Sequence, residues 1–420
     1  MQIPLLDPCV HCGFCLPSCA SYRVLGTEMD SPRGRIHSLK AIAAGELQLD
    51  ATVASHFDSC LGCFACVTAC PAGVRYDELL AEVRPKLNNP ALRSPFQRQL
   101  RHLLLNLLPY PKRLRAILTP LRAYSDSALQ KLARRTGITR LFGAEFAAIE
   151  KLLPPLPAEA FGPDPVGLIP AEGPRRARVG LVLGCVQRVF DPAVNAATLA
   201  VLAANGVEVL LPPGQGCCGA VSDHQGELLQ TQSLAIDLVR IFNAAAATEA
   251  LDAILVAASG CGHTLKRYPQ LLAGQEGFTA PVLDVHEFLM QLGLSAEFKA
   301  RLKPLAEPMV VFHDACHMIH GQGITEQPRE LLKAIPGLIL KEAVEAGVCC
   351  GSAGIYNLVQ PEEAAALGEI KATDLRASGA AIVASANIGC SLQIRQHMLK
   401  QEDPLPVAHP MELLARSAGL

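Results

Sequence analysis

No uninterrupted apolar stretch in the 420 residues approaches the ~18 needed to span a bilayer, although half of the residues are apolar. A transmembrane helix is therefore not expected. The first residues, MQIPLLDPCVHC, carry neither a basic leader nor an apolar run of signal-peptide length, so a cytoplasmic chain is expected. No G-x-G-x-x-G fingerprint occurs, so the chain is not expected to bind a dinucleotide by itself. Its net charge is only −2, without the basic excess of a nucleic-acid-binding chain.

What the sequence does have is sixteen cysteines. Structural disulfides are rare in reducing compartments, and tight, patterned spacing argues for metal ligation instead. Cys9-Val-His-Cys12-Gly-Phe-Cys15-Leu-Pro-Ser-Cys19 and Cys60-Leu-Gly-Cys63-Phe-Ala-Cys66-Val-Thr-Ala-Cys70 both spell C-x2-C-x2-C-x3-C, the spacing of two-cluster ferredoxins. Three close thiolates wrap one cubane from a short loop. The fourth, starting a departing helix, is better placed for the other cluster. Two 4Fe-4S clusters are thus expected, one on Cys9, Cys12, Cys15 and Cys70, the other on Cys60, Cys63, Cys66 and Cys19. Zinc is the rival, but its four-cysteine sites use two separated C-x2-C pairs rather than triple runs. Proline follows Cys70 but not Cys19, a difference in the turn rather than in ligation. A helical pattern at 38–44 makes this module more helical than a minimal ferredoxin.

The other eight cysteines form two copies of one pattern. Thirty-one residues separate Cys185 from Cys217-Cys218-Gly219, and forty-two separate Cys218 from Cys261. In the second copy, thirty-two separate Cys316 from Cys349-Cys350-Gly351, and thirty-nine separate Cys350 from Cys390. Apolar strands are predicted at 179–183, 253–257, 309–312 and 381–384, just before Cys185, Cys261, Cys316 and Cys390. Helices are predicted at 225–245 and 361–378. Each copy ends in a strand and short helix, where Asp284 and His409 stand at equivalent N-cap positions. Alternating strands and helices imply α/β units with parallel sheets, and ligands gather at strand carboxyl ends. Each copy brings four thiols, enough for one further cluster apiece; the rival reading is that these sets hold no metal.

Between 84 and 140 lie thirteen Lys and Arg against one acid, Asp126, which gives plus 12 and leaves minus 14 elsewhere. Prolines at 95, 109, 111 and 120 divide it into short amphipathic helices. Such a segment docks on anionic lipid or an acidic partner, or simply forms the solvated face of a linker. The expected divisions are a two-cluster ferredoxin-type domain at 1–85, a basic helical linker at 86–175, and cysteine-rich α/β domains at 176–300 and 301–420.

The duplicated pattern resembles the cysteine-rich CCG domain, which is found in heterodisulfide reductases, in anaerobic glycerol-3-phosphate dehydrogenases, and in lactate and glycolate oxidation proteins. The fullest version of that domain ends in C-x-x-C and has five cysteines. Here Thr264 and Gln393 occupy the last position, so each copy is one ligand short, and His263 or His317 is a substitute ligand to consider. The order of parts resembles the glycolate oxidase iron-sulfur subunit family over essentially the full length. Cys9-Val-His-Cys-Gly-Phe-Cys15, Asp30-Ser-Pro-Arg-Gly-Arg-Ile36, Gly216-Cys-Cys-Gly-Ala-Val221, Ala258-Ser-Gly-Cys-Gly262, Cys349-Cys-Gly-Ser-Ala-Gly354 and Ala386-Asn-Ile-Gly-Cys390 carry that likeness. The resemblance implies a non-flavin subunit of a complex peripheral to the inner membrane's cytoplasmic face. Its flavoprotein partners would oxidise glycolate and pass electrons on. A lactate or glycerol-3-phosphate complex, or an enzyme acting on disulfides at the CCG site, are the alternatives. Arg33 and Arg35 are expected to dock a partner or to be simply solvated.

Overall fold

The computed structural model describes residues 5–125, 127–142, 150, 153 and 155–420. Asp126 lies outside these residues, and so does the side chain of Arg140. The fold is mixed helix and strand, with a helix-rich N-terminal part that holds both ferredoxin-type cysteine runs, followed by two units built on largely parallel sheets that carry the two copies of the CCG pattern.

In the N-terminal part, Cys19 caps the helix Ala20–Leu25, as expected of a fourth cysteine that starts a departing helix. Cys70 departs from that expectation. It leads into a turn in which the Gly73 N–H donates to Cys70 O at 3.3 Å, with Gly73 left-handed, and the next helix begins only at Tyr76. The helix predicted at 38–44 starts earlier, spanning Pro32–Ala43, because Ser31 caps it through Gly34 N and Pro32 fits the first helical turn. In the linker, Pro95–Leu107 and Pro111–Leu118 also begin with proline, and Ala128–Thr136 follows Ser127 as cap.

The first CCG sheet has the order β1-β3-β2-β4-β5, from β1 (Gly167–Ile169), β2 (Ala177–Val182), β3 (Val207–Leu211), β4 (Ala253–Val256) and β5 (Val282–Asp284). The second has the order β7-β6-β8-β9, from β6 (Met309–His313), β7 (Ile339–Lys341), β8 (Ile382–Ser385) and β9 (Val407–Ala408). All pairings are parallel except β1 with β3, an antiparallel edge absent from the sequence pattern. The register is the same in both copies: Val182 pairs with Val256 where His313 pairs with Ser385.

The copies share a core, and the first has a second one of its own around Val182, Leu238 and Val256. One apolar core joins Leu181, Val209 and Leu255 of the first sheet to Val311, Val383 and Leu414 of the second. The helix Pro192–Ala204 packs on Pro410–Ala418, and Val285–Leu292 packs on Glu326–Lys333, which is the same pair of elements exchanged between copies. That reciprocity is a pseudo-twofold arrangement, and it turns the carboxyl ends of both sheets toward each other.

Candidate metal centres

Both N-terminal runs fold into loops with the same backbone turn. His11 and Gly13 flank Cys12 with positive φ, and Gly62 and Phe64 flank Cys63 in the same way. For His11 and Phe64 this is a strained conformation, and such strain persists where surroundings enforce it. Phe64 is held by ring stacking on His317 at 5.3 Å and by His263 at 5.5 Å. Backbone N–H groups point at sulfur: Ala65 at Cys63, and Arg33 of the helix Pro32–Ala43 at Cys15. The Tyr76 hydroxyl donates to Cys60 Sγ at 3.7 Å, and Ser21 Oγ lies 3.3 Å from Cys19 Sγ. Amide and hydroxyl donors around thiolates are what an iron-sulfur cluster requires of its surroundings.

Cys9, Cys12, Cys15, Cys66 and Cys70 line one cleft. Cys19 lies outside it, near Cys63 and Cys66 of the second run and near Cys15 as well. Burial first, then the charges of Cys316, Cys19 and Cys60, push the Cys63 thiol up. Burial first, then Cys63, Cys60 and Cys19, raises Cys66. The two runs thus lie against one another, with Cys66 at the first cleft and Cys19 near both Cys15 and Cys63.

All eight CCG cysteines line a single cavity of about 420 Å³ between the copies, which Leu108 and Pro155 of the linker help to close. Within each copy the thiols touch in series: Cys185, Cys217, Cys218 and Cys261 in the first; Cys316, Cys349, Cys350 and Cys390 in the second. Cys185 Sγ and Cys217 Sγ are 3.1 Å apart, and all sixteen thiols of the chain are free. The glycine of each Cys-Cys-Gly is left-handed, and a Cβ on Gly351 would stand 2.7 Å from Ala364 O, which explains the residue type.

Crowded sulfur shapes the charge of these sites. The Cys316 thiol is raised by its hydrogen bond with Cys349 and then by burial, and Cys217 is raised by Cys185, Cys218 and burial. Cys218 moves the other way, because Cys217 and Cys261 both bond to its sulfur. Buried thiols that resist ionising become thiolates when a cation binds, releasing protons as it does so. The donor set therefore fits iron-sulfur groups.

Several expectations change. Arg35 is neither docked nor solvated; it is 1% exposed and donates to His56 O, Ser21 Oγ and Ser59 Oγ, because it sits on the inward face of Pro32–Ala43 beside Ile36 and Leu39. Arg33 pairs with Glu28 at 2.7 Å and braces the first loop through His11 O. His317 Nε2 meets Gly62 O of the ferredoxin module at 2.9 Å, whereas His263 Nδ1 meets Gly321 O of the second copy at 3.1 Å. Thr264 and Gln393 bond to Gly260 O and Ala364 O. Asp284 and His409 do cap their helices, each within a capping box. Of the thirteen basic residues between 84 and 140, Arg93 and Arg101 pair with Asp58, Arg115 with Asp164 and Arg134 with Glu150, while Arg84 donates to Cys60 O.

One residue escaped the sequence reading. Among the described residues, a ring nitrogen of His313 and the sulfurs of Cys350 and Cys390 form a buried group within 4.8 Å. Its only sequence signal is a histidine closing an otherwise apolar strand, three residues before Cys316.

Known proteins carry the same parts in the same order. A profile described as a 4Fe-4S dicluster domain matches residues 5–74, one described as glycolate oxidase iron-sulfur subunit, linker region, matches 96–153, and the cysteine-rich domain matches 179–266 and 310–395. The probable glycolate oxidase iron-sulfur subunit of Bacillus subtilis is 33% identical, over 98% of this chain and 94% of its own length. The glycolate oxidase iron-sulfur subunit of Escherichia coli is 32% identical, over 93% and 90%. Lactate utilization protein A 2 of Bacillus cereus is 25% identical over 57% of this chain and 98% of its own.

Proposed function

Because the chain belongs to the glycolate oxidase iron-sulfur subunit family, we propose that it is the electron-transfer subunit of a glycolate-oxidising complex. Its flavoprotein partners convert glycolate to glyoxylate, and electrons leave toward a respiratory acceptor. Thiolate-bound iron-sulfur clusters supply one-electron stations, which a flavin reduced by two electrons needs for stepwise release.

The observation that carries this reading is the adjacency of Cys63 and Cys316. These half-buried residues pack on one apolar cluster with Cys349, Leu61 and Tyr356. It supports four ligand sets in series: Cys9, Cys12, Cys15 and Cys70; then Cys60, Cys63, Cys66 and Cys19; then Cys316, Cys349, Cys350 and Cys390; then Cys185, Cys217, Cys218 and Cys261. At the outer end Cys12 is exposed between Val10 and Phe14, which are 70% and 67% exposed, an apolar contact surface for a partner beside the first set.

The linker supports peripheral membrane docking. Lys86, Arg98, Lys112, Arg113, Arg122, Lys131 and Arg135 are exposed, as are Phe96, Leu103, Ile117, Leu129, Leu132 and Leu141. Basic and apolar side chains on one short segment suit an anionic interface. No helix among the described residues is long and apolar enough to cross a membrane.

Anaerobic iron and sulfide quantitation with EPR tests the reading. Two clusters account for about eight irons per chain, and more than eight are expected if the duplicated half is loaded. Cys63→Ser should remove one N-terminal signal and disturb its neighbour; both persisting unchanged would refute the crossed ligand sets. In the reconstituted complex glycolate should reduce the clusters, and reduction by lactate alone would reassign the substrate.

A further inference from the structure

The two copies differ at one register position beside the thiols. Where β2 and β4 end in the apolar pair Val182 and Val256, β6 and β8 end in His313 and Ser385. The positions correspond closely, since Cys185 and Cys316 follow three residues after Val182 and His313, and Cys261 and Cys390 follow five after Val256 and Ser385. His313 is 2% exposed and Ser385 is fully buried. Neither ring nitrogen of His313 nor Ser385 Oγ has a hydrogen-bond partner. Buried polar atoms are almost always satisfied, so three orphans side by side point to a missing partner. The nearest candidates are the sulfurs of Cys350 and Cys390 and whatever they hold.

We propose that His313 is a nitrogen ligand to the iron-sulfur group bound by Cys316, Cys349, Cys350 and Cys390, giving the second copy five donors against four in the first. This rests on the reading that the second copy is loaded. Imidazole supplies the donor that Gln393 does not, from the strand rather than from the following helix. It is neutral and a weaker electron donor than thiolate, and imidazole ligation raises the potential of thiolate clusters elsewhere.

The test uses the full chain with 15N-labelled histidine, reduced anaerobically and read by pulsed EPR. A strong 15N hyperfine coupling is expected. It should vanish in His313→Val, which installs the side chain the first copy carries, and in His313→Gln, which retains polarity should the valine variant fold poorly. His317→Ala should keep it. In His313→Cys the midpoint potential of that signal should shift negative. Coupling that survives both His313→Val and His313→Gln, or one as weak as a hydrogen-bonded imidazole gives, overturns the ligation. Cys390→Ser separates the two failures: a loss of iron shows a loaded second copy, whereas unchanged iron and sulfide overturn the loading and the proposal with it.

Discussion

Arg35 lies 3.7 Å from Asp30, both nearly enclosed, with Ser59 Oγ donating to Asp30 at 2.6 Å and His56 Nδ1 at 3.0 Å from it. Removing one partner of a buried ion pair leaves a bare charge, so Arg35→Met should destabilise the protein by ~3–5 kcal/mol. Anaerobic urea denaturation should show this, with Arg35→Met combined with Asp30→Asn recovering part of the loss. At this scale the sequence was legible where chemistry and spacing coincide: the cysteines need no fold to announce themselves. Arg33 and Arg35 were not. Two arginines two positions apart read alike on paper, but helical rotation puts one against Glu28 and the other beside Leu39. His313 was missed for a similar reason, since its meaning depends on β8 and Cys350, far away in sequence.

The helix Pro410–Ala418 shows what one element does for two domains. His409 Nδ1 accepts from Met411 N while Nε2–H donates to Ala257 O of the other copy. Burial, and then the neighbouring His286 charge, push its pKa down to about 3. Between the unfolded value of ~6.5 and about 3 the unfolded chain carries the proton and the folded one does not. The stability is thus complete above ~6.5 and is lost as pH falls, at ~1.4 kcal/mol per pH unit. His409→Asn keeps a capping oxygen but orphans Ala257 O, so it should cost ~1–3 kcal/mol at pH 7 and flatten the acid limb. An unchanged acid slope in pH-dependent denaturation would show that another group governs it. The N-cap was legible because duplication offered a second example, Asp284, to align with it. The edge strand β1 was not, since its three residues are largely exposed and carry no alternation.

Across the whole molecule, the order of parts was legible because it is linear, but their seating was not. The ferredoxin module docks on the second copy through Arg23 and Glu345 at 2.6 Å and Tyr356 OH to Ser59 O at 3.2 Å, contacts more than two hundred residues apart in sequence. The charge of the 84–140 segment likewise reads as uniform, yet five of its arginines turn inward. The exposed remainder predicts binding to anionic vesicles at low salt and release at high salt, each contact contributing ~1 kcal/mol at the surface. Arg98→Glu with Lys112→Glu and Arg113→Glu should weaken vesicle co-sedimentation at least tenfold. Salt-insensitive co-purification with a flavoprotein, without vesicle binding, would assign the segment to a protein interface.

Gene duplication ordinarily releases one descendant from selection, free to decay or be discarded. The common core removes that freedom, because Leu181 and Val383 belong to one packed interior and damage to either half reaches both. Divergence has nonetheless reached the strand ends before the thiols, where Val182 and His313 differ. The two halves are bound to a shared inheritance in scaffold while remaining separately adjustable in chemistry.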